Sequence, residues 1–490
     1  MLFNTIEFVI FFVFVLGVIV TIKNKKFHHL FLLGASYFFF YYTSNYLITL
    51  LIFSTLLDYF VGEQIWKTKI LARKKILLAL SIAGNLSLLG FFKYADFAIT
   101  EFNELFRTVG IDAIPLLEIA LPVGISFYTF QSLSYTIDIY RGKLEPSKSL
   151  GEFALFVAFF PQLVAGPILR ASDFLPQLRE KLSEINSNTN LKQILIHNVN
   201  LKLGITIMIF GFFKKMFFAD NLAPFVDELF FNPIGLDSFA IILGAIGFGI
   251  QLYCDFSGYS DIAIGAALIL GFKIPANFNF PFFATSPTEF WRRWHISLST
   301  WVKDYLFYPM VFNNKKSKVR IFVSLFTTLF LIGIWHGAGW NFIIYGIMHG
   351  FYVSIDFAVR SKFPSITSNV FFRSKIGKII SILATQYLIF LSFLSFRIHD
   401  LESLTYSIQK FVIFDFQTDG IGSFVLEHKL PLCLMILFVI LHFVSYNNPN
   451  LRQRIANLKL SYWIIFLTIM MIAIIFFYDA NPRDFIYFKF

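Results

Sequence analysis

Charge is scarce in this sequence. Only 14% of its 490 residues are Asp, Glu, Lys or Arg, against about 25% in an ordinary soluble domain. Cysteine is scarcer still, with Cys254 and Cys433 the two present. Two thiols exclude a disulfide framework and a four-ligand zinc site, so both read as apolar packing residues. No H-E-x-x-H occurs that would ligate a metal from one helix face, and no G-x-S-x-G that would present a nucleophilic serine. The first apolar run, residues 3–22, lacks a preceding basic stretch and a small-residue cleavage site. It is expected to be a retained span and not a leader peptide. No internal repeat of the kind that builds many transporters is visible.

What is present is apolar. Hydrophobic residues make up 57% of the chain, and its 67 phenylalanines exceed what one water-soluble core could hide. Runs long enough to span about 30 Å of hydrocarbon recur from end to end. The expected fold is an all-α polytopic membrane protein of roughly 10–12 membrane-embedded helices, some of them short or re-entrant. Its expected organisation is a single membrane-embedded domain over residues 1–490, with a core at 122–350 and C-terminal transmembrane helices at 378–490.

The formal net charge of +11 does not point to nucleic acid, because the basic residues form short clusters between apolar runs. Such clusters mark cytoplasmic loops facing anionic lipid. "KNKKFHH" (Lys23–His29) and "KTKILARKK" (Lys67–Lys75) are then cytoplasmic, which puts the N-terminus outside and a pair of crossings between them, hinged at Thr43, Ser44 and Asn45. The acid-rich stretches 99–112 and 399–430 fall outside by the same count. The chain around 239–272 is expected to be interrupted by "YCDFSGYSD". Irregular backbone at that depth is tolerated only where protein or water covers it.

Polar residues concentrate in "LPVGISFYTFQSLSYTIDIYRG", "FFPQLVAGPILRASDF", "QLYCDFSGYSDIAIG", "SPTEFWRRWHISLSTWVKDYLFYP" and "GIWHGAGWNFIIYGIMHG". Ionisable groups within spans are expensive and mark functional sites by default. Asp138, Asp255, Asp261 and His336 meet that description. A scaffold role for the three aspartates would pair them with arginines such as Arg141 or Arg292. "EFWRRWHISLSTW" reads as an interfacial amphipathic helix, with Trp291, Trp294 and Trp301 at headgroup level. On that helix Arg292 and Arg293 are placed to meet phosphate, and His295, three and four residues from Arg292 and Trp291, shares the face of those two. His336 lies between Trp335 and the glycines 337 and 339, which permit close approach. A neutral imidazole in a cleft suits proton transfer. His349, thirteen residues on, does not share a helix face with His336, so paired metal ligation is unsupported.

Taken in order, these five stretches resemble the membrane-bound O-acyltransferase (MBOAT) superfamily, and most of all its bacterial branch of alginate O-acetyltransferase and D-alanyl transfer proteins. The resemblance is dense from Pro122 to Gly350. It implies an acyltransferase whose helices surround a central funnel with the active site at its base. His336 in "WHG" matches the family's catalytic histidine, and His295 its upstream polar partner. Trp335, Asn341, Arg292, Arg293 and Asp255 become candidate substrate-binding residues. Lys315 and Lys316 become candidate contacts for a phosphorylated donor, although the loop "YPMVFNNKKSKVR" lacks the glycines of many relatives.

The implied donor is cytoplasmic acetyl-CoA, a substrate and not a bound cofactor. The implied partners are membrane lipid, a periplasmic acetyltransferase protein and a cell-envelope polysaccharide, either peptidoglycan or an alginate-like exopolysaccharide. The implied location is the bacterial inner membrane. D-alanyl transfer to teichoic acid from a carrier protein is the alternative, and a non-enzymatic transporter the second.

Overall fold

A computed structural model describes residues 1–21, 24–107, 109–110, 112–163, 166–184, 198–312, 317–365, 369–415, 420–478 and 483–489. Every regular element among the described residues is helical. The principal helices are α1 (Ile6–Thr21), α2 (Lys25–Ser44), α3 (Ile48–Lys67), α4 (Leu71–Arg107), α5 (Ile125–Tyr140), α6 (Leu150–Ala158), α7 (Ala171–Glu184), α8 (Asn198–Phe212) and α9 (Asp220–Phe231). They continue as α10 (Ser238–Ile269), α11 (Pro287–Arg293), α12 (Ile296–Val302), α13 (Lys318–His336), α14 (Trp340–Lys362), α15 (Lys375–Arg397), α16 (Leu401–Val412), α17 (Lys429–Asn447) and α18 (Leu460–Phe476).

Seven helical stretches are long and apolar enough to cross a membrane: Lys25–Lys67, α4, α10, α13, α14, α15 and α17. Two shorter apolar helices, α1 and α18, accompany them. The chain is a multi-pass membrane protein of all-α class. The expected hinge at 43–45 falls where α2 gives way to α3, at Asn45 with φ +49°.

The chain forms two compact units. The first comprises Met1–Met208 with Tyr259–Pro275, and the second Ile209–Gly258 with Ala276–Phe490. In the first, α4 buries only Ser81, Asn85 and Leu89 of its 37 residues. These sit four apart and share one face, while the rest of the helix keeps apolar side chains outward. The attachment is polar. Asp58 of α3 accepts from Ser81 Oγ at 2.6 Å and from Asn85 Nδ2 at 2.9 Å. Ser54 Oγ donates to Asn85 Oδ1 at 2.6 Å and lies 3.2 Å from Ser132 Oγ of α5. Hydrogen bonds of this kind hold helices together where lipid removes the usual hydrophobic driving force.

In the second unit α13 and α14 form a tight hairpin. A Cβ on Gly333 would lie 2.4 Å from Gly346 Cα, and one on Gly346 would lie 2.7 Å from Phe330 O. Glycine is required at both because backbone meets backbone there. The glycine that follows His336 in "GIWHGAGW" also serves packing. A Cβ on Gly337 would meet the Phe342 ring at 2.0 Å, so the expected close approach is made by the protein's own side chain.

The structure corrects three expectations. Helix α10 runs unbroken through "YCDFSGYSD", since Asp255, Ser257, Ser260 and Asp261 are all buried in protein and need no break to reach polar surroundings. "EFWRRWHISLSTW" is not one helix, because α11 ends at Arg293 and α12 starts at Ile296. Trp291, Trp294 and Trp301 are at most 8% exposed, so they pack inside the protein and not at a headgroup belt.

Two stability changes follow. Gly346→Val should lower stability by about 1–3 kcal/mol through overpacking. Asn85→Ala should cost a similar amount, about 1–3 kcal/mol, by stripping Asp58 and Ser54 of a buried partner. Thermal unfolding in detergent, read against wild type, checks both; an unchanged midpoint in either would contradict the packing described.

Candidate active site

The two histidines singled out by sequence meet in the second unit. His336 ends α13, because Gly337 adopts an extended conformation that stops the helix. Its ring is 3% exposed and lies 5.0 Å from Trp335, 5.1 Å from Phe396, 5.7 Å from Tyr345 and 5.6 Å from Tyr487, centroid to centroid. His295 is fully buried. Its ring stands perpendicular to Phe256 at 4.7 Å and lies 6.3 Å from Trp335 and 6.5 Å from Tyr487. Trp335 and Tyr487 therefore touch both imidazoles, and aromatic rings enclose the pair.

His295 reaches this place through an unusual backbone. It sits between α11 and α12 with φ +44° and ψ +53°, the left-handed region. For a residue with a Cβ this costs about 1–3 kcal/mol and persists only when neighbours hold it. Asn277 is the holder. Its backbone carbonyl accepts from Ile296 N at 2.8 Å. Its side-chain oxygen accepts from Ser297 Oγ at 2.8 Å and lies 3.2 Å from His295 Nδ1. A further bond, Asn279 N to Arg293 O at 2.9 Å, pins the strand of chain alongside.

His349 occupies a different environment. Trp291 Nε1 donates to its Nδ1 at 3.2 Å, which makes Nδ1 the unprotonated nitrogen. Nε2 then carries the hydrogen and donates to Ser392 Oγ at 2.9 Å. Both nitrogens are spent on joining α11, α14 and α15, and the ring is fully buried. His349 is a structural link between helices.

The other named residues divide. Trp335 lies in the site. Asn341 is buried and donates to Ser395 O at 3.0 Å, with His399 Nδ1 at 3.4 Å. Burial and the neighbouring Arg397 guanidinium push His399 below its ordinary pKa. Arg293 is committed to Glu289 at 2.7 Å and to Asn279 O, and Arg292 is exposed. Lys315 and Lys316 lie outside the described residues. Asp255 is paired not with an arginine but with Lys215, at 2.7 Å, while its other oxygen accepts from Ile486 N at 2.7 Å.

Sequence reading missed Asn277, Lys215 and Tyr487. Lys215 did carry a signal, being a cation in the apolar run "FGFFKKMFFADN". Asn277 and Tyr487 carried none, since an asparagine in a polar loop and one tyrosine of 21 look ordinary.

Ionisable groups buried in a multi-pass helical membrane protein mark candidate functional sites, and here two imidazoles lie among aromatic rings. The MBOAT, membrane-bound O-acyltransferase family, matches residues 145–394, and the chain belongs to that family. It is 41% identical over 309 residues to the probable alginate O-acetylase AlgI of Azotobacter vinelandii, covering 62% of this chain and 58% of that protein. It is 42% identical over 315 residues to the probable alginate O-acetylase AlgI of Pseudomonas aeruginosa, covering 63% and 57%. Over 405 residues it is 35% identical to the peptidoglycan O-acetyltransferase of Helicobacter pylori, covering 78% and 73%. The chain thus spans less than three fifths of the length of the two alginate relatives.

Asn277→Ala removes the side-chain oxygen that holds Ser297 Oγ and His295 Nδ1 and should destabilise the protein by about 1–3 kcal/mol. His295→Asn, which tolerates the left-handed backbone and keeps a polar side chain in the buried position, should be destabilised less than Asn277→Ala. Thermal unfolding of the pair tests the assignment, and the reverse order would refute it.

Proposed function

We propose that this chain is a membrane O-acetyltransferase that passes an acetyl group from cytoplasmic acetyl-CoA to an envelope polysaccharide. The observation that carries the reading is the convergence of His295 and His336 on Trp335 and Tyr487 in a buried aromatic enclosure. The names of the relatives supply the substrate class, an alginate-like exopolysaccharide or peptidoglycan. The protein sits in the bacterial inner membrane with its N-terminus outside, and a periplasmic transferase completes the transfer to the glycan.

His336 is the general base. It takes the proton from an acceptor hydroxyl as that oxygen attacks the thioester carbonyl. The carbon–sulfur bond then breaks, and the departing CoA sulfur recovers the proton. Such positioning accounts for about 10² to 10⁴ in rate. The aromatic walls exclude water, which limits loss of the acetyl group to hydrolysis. His295, held by Asn277, steadies the developing oxyanion with Trp335.

The basic groups act at a distance. Lys318 opens α13 and donates to Ser361 O near the end of α14, close in sequence to Arg320, Arg360 and Lys362. At 1.5 Å per residue that end of α13 lies about 27 Å of helix from His336. Cations there draw the anionic donor to the cytoplasmic mouth and do not touch the reacting carbonyl.

The test is release of free CoA from acetyl-CoA by purified protein in lipid, with and without a periplasmic extract as acceptor. Wild type should release CoA in an acceptor-dependent way, and His336→Ala should lose about 10² to 10⁴ of that rate. No release from wild type would point to a carrier-protein donor of the D-alanyl kind. Release untouched by the substitution would remove His336 from the chemistry.

A further inference from the structure

The second unit buries one more charged group that the acyl-transfer reading leaves unused. Lys215 is 2% exposed, with Nζ at 2.8 Å from Asp220 Oδ1 and 2.7 Å from Asp255 Oδ1. A π-helical turn, Phe213–Ala219, delivers it there. Such turns are rare and concentrate at functional sites, because the extra residue redirects side chains from their regular helical positions. Gly258 of α10 lies against the turn, where a Cβ would be 3.1 Å from Lys215 N and 2.8 Å from Gly211 O.

A charge pair is an expensive way to join two helices. Apolar residues of the same volume would usually hold them as well or better. This cluster does something an apolar pair cannot, because it also grips backbone. Asp255 Oδ2 accepts from Ile486 N at 2.7 Å, and Lys215 Nζ donates to Asp484 O at 3.4 Å. The start of the same segment is tied by Arg483 to Asp227 at 2.5 Å, a carboxylate that Arg397 shares at 2.9 Å. Phe485 and Ile486 are buried, and Ile486 lines a polar cavity together with Asp255, Arg397 and His399. The next residue, Tyr487, lies 4.6 Å from Phe256 and 5.6 Å from His336. One short segment thus touches the charged cluster with its backbone and the histidine with its next side chain.

We propose that Lys215 and Asp255 are positioning residues of the acyl-transfer site: they clamp the backbone of 484–486 and so set Tyr487 against His336. Asp255 is on this reading a clamp, not a substrate ligand. The proposal rests on the acetyltransfer function above for its kinetic consequence but not for its geometry. Asn at 255 can satisfy the ammonium or the Ile486 N–H with its one oxygen, not both, so the segment loosens while α10 stays intact. A misplacement of about 1 Å at a reacting group costs up to about a hundredfold in rate.

The experiment uses the full chain in lipid, with Cys433→Ser removing the exposed thiol and Ile486→Cys as reporter; Cys254 is buried. Maleimide labelling at position 486 should be slow in that background and several-fold faster once Asp255→Asn is added. In the protein without the reporter, Asp255→Asn should lower kcat about tenfold to a hundredfold, with KM for acetyl-CoA changed by no more than about twofold. Ile486→Pro deletes the same N–H from the other side and leaves the charged cluster whole, so it should lower kcat likewise even if Asp255→Asn fails to fold. A fall in kcat without faster labelling would mean that the charge acts on the site directly, which overturns the proposal. Unchanged labelling with unchanged kcat overturns it as well. If wild type shows no His336-dependent release, the functional reading fails by itself, and an unchanged labelling rate would then be what overturns the clamp.

Discussion

Taking a charged group out of water costs several kcal/mol per ion even after relaxation, and a lipid-embedded protein has little water to give back. Lys215 therefore dictates much of what surrounds it. Two carboxylates, Asp220 and Asp255, must flank the ammonium. A π turn must swing it inward, and α10 must run straight so that Asp255 arrives at the right height. Gly258 must be small enough to let the helices close. Once these are met, the spare oxygen of Asp255 can hold the backbone of Ile486, which brings Tyr487 to His336. The histidine site inherits its walls from an electrostatic requirement satisfied on neighbouring helices.

The three central histidines show how partners decide role. His349 spends both nitrogens, one on Trp291 and one on Ser392, and what remains is a rivet between helices. His295 is held through Asn277 in a backbone shape that its own side chain disfavours, which is the pattern of a residue placed for geometry. His336 stands at a helix end where Gly337 releases the chain. It is surrounded by rings, which keep water away. The same imidazole thus stands in different surroundings, bonded through both nitrogens at His349 and enclosed by rings at His336.

Much of the fold was legible in the pattern of apolar runs. Spans such as α13, α14, α15 and α17 are uninterrupted stretches that no soluble protein would need, and the hinge at Asn45 shows in "YYTSNY". The misreadings share one cause. "YCDFSGYSD" looked like a break, and "WRRW" like a headgroup belt, because polarity in a linear string says nothing about whether protein or lipid lies opposite. Asp255 meets Lys215, forty residues away, and Trp291 meets His349, fifty-eight residues on. Each is a satisfied interior group, and neither partnership leaves a trace in local sequence.

The sequence by itself determined that the chain is a helical membrane protein, which of its histidines merit attention, and which loops carry the positive charge. Those follow from composition and period, properties of neighbouring residues. Only the tertiary structure decided that His295 and His336 share Trp335 and Tyr487, that Asn277 maintains the turn carrying one of them, and that Asp255 faces a lysine and a backbone amide. These facts depend on helices far apart in the chain packing side by side. Their cause is the absence of water, which obliges every buried polar group to find its partner elsewhere in the protein.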